Sequence, residues 1–202
     1  MEAPRLAARD LACRRGERLL FRGLSLELSG GQALHVTGSN GTGKSSLIRI
    51  LARLLRPYAG EVERSGTIGL LDQTMALDEH LPLGRALAFW RRIDRWPDRD
   101  DATGERVGQL GLRDLMDVPV RYLSTGQRKR AALFRLLGQG ADIWLLDEPL
   151  NGLDRDAVAL VEALVAQHIA SGGLALVASH QPIAVAGMAV LHLPDYAPGV
   201  DA

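Results

Sequence analysis

The sequence predicts an α/β fold built on a largely parallel sheet, with a helical segment inserted between its two main groups of strands. A short apolar strand, Ala33–Thr37, leads into a glycine-rich loop and then into apolar residues at helical spacing. Two continuous apolar runs, at residues 143–146 and at Leu174–Ala178, are typical of strands buried on both faces. Between these groups, residues 77–137 are charged and helix-forming, with few β-branched residues.

The bulk composition bounds the domain count and the class of partner. A length of 202 residues fits one domain over residues 1–202, with a helical subdomain inserted at about 77–137. The formal net charge of +0 gives the whole chain no basic excess of the kind that nucleic-acid binding favours. Cys13 is the only cysteine, which excludes an internal disulfide and a cysteine-based metal cluster. No run of roughly 18 apolar residues occurs, so we expect any work at a membrane to depend on another subunit.

The first part of the chain is predicted to alternate strands with one helix. Three alternating leucines within residues 24–28 indicate a half-buried strand, and a glycine pair follows it. After the strand at Ala33–Thr37, we expect a helix over residues 46–55 that Pro57 helps to terminate. A further strand is predicted at residues 67–71.

The second part begins with the helical insertion and returns to strands. We expect the insertion to be broken into short helices by Gly104, Gly108, Gly111 and Pro119. A helix over about 156–170 separates the two continuous apolar runs, which completes the α/β alternation.

The glycine-rich loop at residues 38–45 matches the P-loop pattern in full and has the strand and helix that this pattern requires on either side. Its glycines let successive backbone N–H groups surround phosphate oxygens, and the following helix directs its positive end at the same anion. Lys44 is expected to reach the β- and γ-phosphates of ATP, and the Ser45 hydroxyl to bind Mg²⁺. The predicted nucleotide ligands are Gly38, Ser39, Asn40, Gly41, Thr42, Gly43, Lys44, Ser45 and Ser46.

Two adjacent carboxylates follow the apolar run at residues 143–146. Asp147 stands where a carboxylate can lie beside the phosphate loop and hold Mg²⁺. Glu148 comes next, and because neighbouring strand residues point in different directions, the two groups can divide the work. We expect Glu148 to polarise the attacking water and Lys44 to stabilise the transferred phosphoryl group.

A serine and a glycine open a predicted helix at residues 128–137. They lie in the sequence Leu-Ser-Thr-Gly-Gln at residues 123–127, which offers a hydroxyl and free N–H groups to an anion. Three cations at residues 128–130 oppose the helix dipole in the first turn, which fits the approach of a γ-phosphate. A capped helix with a solvated basic face is an equal interpretation of this segment alone.

The segment at residues 123–127 resembles the signature motif of ATP-binding cassette (ABC) proteins, with Thr125 in place of the first glycine. The resemblance extends from about Leu6 to Leu193. It implies an ABC-type P-loop NTPase core with an N-terminal antiparallel β portion and a helical signature subdomain. It further implies an ATPase that works as a head-to-tail dimer, in which one copy closes over the ATP of the other. The signature residues that would do so are Ser124, Thr125, Gly126 and Gln127.

Other positions match motifs of the same family. Gln73, after the strand at 67–71, resembles the Q-loop glutamine that touches Mg²⁺. Asp154 lies in a segment similar to the D-loop, which implies a place at the dimer interface. His180, just after Leu174–Ala178, resembles the switch histidine that binds the γ-phosphate. The implied metal ligands are therefore Ser45, Gln73 and Asp147, and the implied catalytic residues Lys44, Glu148 and His180.

Two positions depart from the family pattern. Members usually stack an aromatic ring on adenine, and Arg15 occupies that position here, so its guanidinium would have to stack instead. Thr125 adds a side chain to the signature turn, which the backbone tolerates if its φ is negative.

The amino-acid sequence at the P-loop and around His180 is similar to that of the ATP-binding subunits of bacterial cytochrome c maturation systems, which are haem exporters. One cassette in one chain implies a homodimer or a heterodimer, of which we expect the homodimer. The similarity further implies attachment through integral membrane subunits at the cytoplasmic face of the inner membrane, with no direct contact to haem or nucleic acid. Another small ABC exporter, or a soluble ABC-type ATPase acting on nucleic acid or ribosomes, is the alternative. A P-loop kinase is a further one, although it would need neither the signature motif nor His180. Trp90 and Trp96 suit either a docking groove for the membrane subunit or the core of the insertion.

Overall fold

The computed structural model describes residues 3–72, 76–94, 96 and 100–199, with the side chains of 100–103 left aside. Gln73 therefore lies outside the described residues. Two sheets form the frame of the fold. Three antiparallel strands in the order β2-β1-β4 make the smaller sheet, and five parallel strands in the order β5-β6-β7-β3-β8 make the larger. The strands are β1 Arg5–Arg15, β2 Arg18–Ser29, β3 Ala33–Thr37, β4 Ala59–Ser65, β5 Ile68–Leu71, β6 Ile143–Asp147, β7 Leu174–Ala178 and β8 Ala189–His192.

Five α-helices accompany the sheets in the described part of the chain. They are α1 Lys44–Leu51, α2 Leu83–Ile93, α3 Asp100–Gln109, α4 Thr125–Gln139 and α5 Arg155–Ala170. Helices α2, α3 and α4 all lie between β5 and β6 in the chain, as the inserted helical segment predicts. None of the helices within the described ranges is long and apolar enough to cross a bilayer. The predicted fold class, including the antiparallel portion at the N-terminus, is confirmed.

The continuous apolar runs of β6 and β7 have a simple cause. All ten residues of these two central strands are buried, because the sheet carries an apolar cluster on each face. One cluster lies between α1 and the antiparallel sheet. The other packs α5 against the helices of the insertion, including α4. Leu145 belongs to the first cluster and Leu146 to the second, so both faces of β6 are apolar up to Asp147 at its end. The core thus holds the carboxyl ends of β3, β6 and β7 in fixed relation.

The helix predicted over residues 46–55 is shorter at its C-terminal end than expected. Helix α1 ends at Leu51, and Arg53 takes a left-handed φ of 61°. The Arg53 amide donates to the Ile50 carbonyl and the Leu54 amide to the Arg49 carbonyl, which is a Schellman termination. Arginine rather than glycine takes the left-handed position, and Leu54 is left exposed. The helix therefore stops before Pro57 is reached.

The expected breaks in the insertion were partly wrong. Gly104 and Gly108 both lie inside α3, where they cost helix propensity without ending the helix. Gly111, with a φ of 59°, follows the end of α3, and Pro119 precedes a short 3₁₀ turn at Val120–Tyr122. Helix α4 begins at Thr125, three residues earlier than predicted, because Ser124 caps it.

Candidate functional site

The glycine-rich loop connects the end of β3 to the start of α1. Gly43 has a φ of 108°, and a Cβ atom there would lie 3.2 Å from the Phe21 ring, so both the backbone and the packing require glycine. Lys44, the first residue of α1, is buried, and its Nζ donates to the main-chain oxygens of Gly38 at 2.8 Å and Ser39 at 3.3 Å. The lysine therefore folds back over its own loop, where a phosphate group would meet it.

Ser45 and Asp147 join the loop to the end of β6. The Ser45 hydroxyl donates to Oδ1 of Asp147 at 3.0 Å, while Oδ2 of Asp147 is buried and has no hydrogen-bond partner in the described part of the chain. Burial raises the pKa of Asp147, and the nearby Asp72 and Glu148 carboxylates add to this, although the Ser45 hydrogen bond opposes it. A hydroxyl beside an unsatisfied carboxylate oxygen is a donor set that suits Mg²⁺. Since the described residues hold no group of three or more potential His, Cys, Asp or Glu ligands, other ligands would have to come from phosphate and water.

Glu148 lies between Lys44 and His180. Its Oε1 is 3.2 Å from Lys44 Nζ, and its Oε2 is 2.9 Å from His180 Nδ1. Burial raises the pKa of Glu148, but the hydrogen bonds of Lys44 and His180 outweigh it and leave the pKa below its usual value. Glu148 is therefore an ionised carboxylate with partners on both of its oxygens.

The two adjacent carboxylates diverge for a different reason from the one predicted. Asp147 is the last residue of β6, whereas Glu148 already has a left-handed φ of 47°. Strand alternation therefore does not separate them; a turn of the backbone does. The Glu148 amide donates to the Ala178 carbonyl of β7 at 2.8 Å, which anchors this turn.

The segment at residues 123–127 forms a capping box at the start of α4. The Ser124 hydroxyl accepts from the Gln127 amide at 3.2 Å, and the Gln127 side chain accepts from the Ser124 amide at 2.8 Å. Thr125 lies in the helix with no positive φ, so its side chain is tolerated as expected. Its methyl group packs against Gly152, and the backbone at Gly126 approaches the Gly152 carbonyl so closely that an added Cβ would lie 3.0 Å from it.

The three cations at residues 128–130 already have main-chain partners, which the interpretation from the helix dipole did not include. Each donates to main-chain carbonyls: Arg128 to Leu123 and Arg121, Lys129 to Glu148, and Arg130 to Leu110. Lys129 is buried, and this burial lowers its pKa. Its contact with Glu148 was missed, although its spacing of four and seven residues from the buried Leu133 and Leu136 places it on the inner face of α4.

The remaining predicted positions take different places. Arg15 is exposed at the end of β1, close enough to Cys13 to affect the pKa of that thiol, and Ser46 of α1 hydrogen-bonds the same thiol. Asp154 caps α5 by accepting from the Ala157 amide at 2.8 Å, a structural role that the sequence interpretation did not include.

The two tryptophans of the insertion both pack on the apolar cluster of α4. The Trp96 ring lies 5.0 Å from that of Phe134, and the Arg135 guanidinium stacks 3.4 Å above the Trp90 ring. These contacts give both rings a place in the core of the insertion.

Comparison with known proteins agrees with this geometry. The ABC transporter family matches residues 21–151. A Novosphingobium aromaticivorans protein described as "Cytochrome c biogenesis ATP-binding export protein CcmA" is 55% identical over 193 residues, which cover 96% of this chain and 97% of that protein. A Zymomonas mobilis protein of the same description is 46% identical over 192 residues, covering 95% and 86%. A Pyrococcus furiosus protein described as "Putative ABC transporter (ATP-binding protein)" has a similar fold, with a TM-score of 0.83 at 19% identity over 96% of this chain and 99% of that one.

Proposed function

The chain belongs to the ABC transporter ATP-binding family, and from that premise we propose that it hydrolyses MgATP to power haem export in cytochrome c biogenesis. The support for the export step is the description shared by relatives that align over nearly the whole chain. In this proposal the chain is the motor, and the membrane partners select what is moved.

The observation that carries the proposal is the meeting of five polar residues at the carboxyl ends of three neighbouring strands. Lys44 and Ser45 follow β3, Asp147 ends β6 with Glu148 directly after it, and His180 follows β7. Ligands of open α/β sheets bind outside the carboxyl ends of the strands. The contacts between Ser45 and Asp147 and between Glu148 and both Lys44 and His180 tie the five into one cluster.

Each residue then has a role that its contacts support. The backbone N–H groups of residues 38–45 surround the phosphates, with Ser46 beyond them, and Lys44 neutralises charge on the β- and γ-phosphates. Ser45 and Asp147, with Gln73 as the further expected ligand, hold Mg²⁺, which when bound neutralises charge on the phosphate oxygens. Arg15 stacks its guanidinium plane on adenine.

Glu148 orients the attacking water in this proposal. Its depressed pKa keeps the carboxylate ionised at neutral pH, as a group that accepts a hydrogen bond from water must be. His180 fixes one carboxylate oxygen and has a half-exposed ring that can also reach the γ-phosphate. When a phosphate draws Lys44 away, the other carboxylate oxygen becomes available to water.

A second copy of the chain completes the site. The Ser124 hydroxyl already accepts from the Gln127 amide, which leaves its proton to donate to a phosphate oxygen of the partner's ATP. The N-terminus of α4, from Thr125 to Gln127, adds main-chain N–H groups and the positive end of a helix dipole. Asp154, at the start of α5, is placed at the contact between the two copies.

Membrane attachment is indirect in this proposal. Integral membrane subunits hold the homodimer at the cytoplasmic face of the bacterial inner membrane. Neither haem nor nucleic acid binds the chain itself.

A substitution at Glu148 tests the proposal. The Glu148→Gln variant should abolish hydrolysis yet still bind MgATP, and it should elute as a dimer by size-exclusion chromatography with light scattering only when MgATP is present. The Glu61→Gln variant is the matched control, because Glu61 is an exposed partner of Arg9 in the antiparallel sheet. Normal ATP hydrolysis by Glu148→Gln would show that Glu148 does not orient the water.

The export role needs a separate experiment. The MgATP-loaded Glu148→Gln dimer, added to detergent-solubilised membranes, should retain an integral membrane protein that Lys44→Ala does not retain. Retention of ribosomes or nucleic acid instead would favour a soluble ABC-type ATPase and overturn the transporter assignment.

A further inference from the structure

Lys129 is a buried cation that no step proposed above uses. It lies on the second turn of α4, is 9% exposed, and donates from Nζ to the main-chain carbonyl of Glu148. Burying a lysine costs free energy unless the ammonium group is well satisfied. A neutral donor would satisfy the Glu148 carbonyl at a smaller desolvation cost than a buried ammonium group. The presence of Lys129 here therefore suggests a role beyond packing.

The backbone that Lys129 holds is the backbone that aims the Glu148 carboxylate. Glu148 has a left-handed φ of 47°, which disfavours residues with a Cβ atom by about 1–2 kcal/mol. Its amide donates to the Ala178 carbonyl of β7, and its carbonyl accepts from Lys129 Nζ and, at 3.3 Å, from the Asn151 amide. These hydrogen bonds restrain both peptide units next to the strained residue. Without the Lys129 bond, the carbonyl keeps only the longer bond from Asn151, and the backbone that carries the carboxylate is less restrained.

The N-terminus of the same helix, one turn before Lys129, carries the capping box. Ser124 is the N-cap of α4, and Lys129 follows five residues later, about 7.5 Å along the helix axis. A helix this short behaves as a rigid rod, so a displacement of the capping box displaces Lys129 with it. The helix therefore links the surface that would meet a partner's nucleotide to the carboxylate that acts on the chain's own nucleotide.

We propose that Lys129 is a positioning residue that sets the direction of the Glu148 carboxylate and couples it to the seating of Ser124. The inference rests on the proposed function, since it gives Lys129 no role if Glu148 does not orient water. It predicts that losing the Lys129 donor affects the hydrolysis step and leaves nucleotide binding intact.

Three variants of the full chain separate positioning from packing. Lys129→Met keeps the length of the side chain without the donor, and Lys129→Gln keeps a donor without the charge. Arg130→Met is the matched control, because Arg130 follows directly on α4 but donates to Leu110 instead of Glu148. The melting temperature of each variant, measured without nucleotide, shows whether it is folded.

Lys129→Met should lower kcat for MgATP about 10- to 100-fold with little change in KM, because a small misplacement of a reacting group can cost about 10²-fold. Lys129→Gln should restore part of kcat, and Arg130→Met should retain it. Wild-type kcat in a folded Lys129→Met variant would overturn the inference, and so would an equal loss of kcat in Arg130→Met.

Hydrogen exchange tests the positioning without hydrolysis. The Glu148 amide, which donates to Ala178, should exchange faster in Lys129→Met than in the wild type or in Arg130→Met. Unchanged exchange would contradict the positioning role. If Glu148→Gln hydrolyses ATP normally while the exchange result holds, then the role of Glu148 is wrong and the contact from Lys129 is structural.

Discussion

Lys44 Nζ lies 3.2 Å from Oε1 of Glu148, and the two side chains are only 5% and 6% exposed. The ammonium group of Lys44, which we expect to bind phosphate, is thus paired with the carboxylate of Glu148, which we expect to orient water. We expect a phosphate group to compete with Glu148 for the same ammonium group, so that nucleotide binding releases the carboxylate. Substitutions at either residue should therefore affect both binding and stability.

Lys44→Ala should lose nucleotide binding and lower the free energy of unfolding without nucleotide. Removing one partner of a buried ion pair costs about 3–5 kcal/mol, and we expect about 3 kcal/mol because His180 still compensates Glu148. Fluorescent-nucleotide titration and urea unfolding measure the two effects. The double variant Lys44→Ala/Glu148→Gln should regain part of the stability, because it leaves no buried carboxylate without its lysine partner. Unchanged ATP affinity in Lys44→Ala would contradict the assignment of the loop.

Asp147→Asn should raise the stability of the protein measured without Mg²⁺ while it abolishes Mg²⁺-dependent hydrolysis. Burial raises the pKa of Asp147 above its ordinary value of 3.8, so its ionised form is less favourable in the folded than in the unfolded chain. The advantage of asparagine should be absent below pH 3.8, grow between pH 3.8 and the raised pKa of the folded state, and stay constant at higher pH.

At pH 7 a gain of 1 kcal/mol would raise the melting temperature by about 2–4 °C. Thermal unfolding at several pH values checks this, with Asp195→Asn as an exposed control. A lower melting temperature for Asp147→Asn at pH 7 would show that neighbouring groups already stabilise the ionised Asp147 carboxylate in the folded protein.

Ser124 should matter for hydrolysis more than for folding. Ser124→Ala removes an N-cap and should cost about 1 kcal/mol of stability, whereas Ser124→Gly should cost only a few tenths. Both remove the hydroxyl that would meet a partner's phosphate. We therefore expect similar losses of ATPase activity from two variants of different stability, measured by steady-state hydrolysis and urea unfolding. If Ser124→Gly instead keeps more ATPase activity than Ser124→Ala, in line with its higher stability, then Ser124 acts only as a helix cap.

Arg15 should contribute weakly to nucleotide affinity. Arg15→Tyr should tighten ATP binding by about tenfold, because stacking of a base on an aromatic ring is worth about 1–3 kcal/mol. Arg15→Ala should weaken it. Arg14→Ala is the control, since Arg14 stacks on Tyr58 instead. Isothermal titration with ATP measures all three, and equal affinities would place adenine elsewhere.

The sequence predicted those parts of the site that are encoded locally. Lys44 and Ser45 follow from the spacing within one loop, and the strands β3 and β7 were predicted with their observed bounds because short, mostly apolar runs define them. Asp147 followed from its place at the end of such a run. These features need only the neighbouring residues to define them.

Features that depend on contacts between distant segments were missed or wrong. The Schellman end of α1 requires Arg53 in a left-handed conformation, which no local pattern of helix termination indicates for arginine. The turn at Glu148 depends on the Ala178 carbonyl of β7, 30 residues further along the chain. The partner of Lys129 is likewise 19 residues away. In each case the deciding hydrogen bond joins segments whose proximity comes from the fold.

The close approach of Gly126 to Gly152 has a consequence for how this protein can move. With no room for a side chain at Gly126, the turn that begins α4 and the loop that begins α5 are packed backbone to backbone. The signature segment and the segment before α5, which are separate motifs in the sequence, are therefore in direct contact. We therefore expect the turn that carries Ser124 and the loop that carries Asp154 to move together.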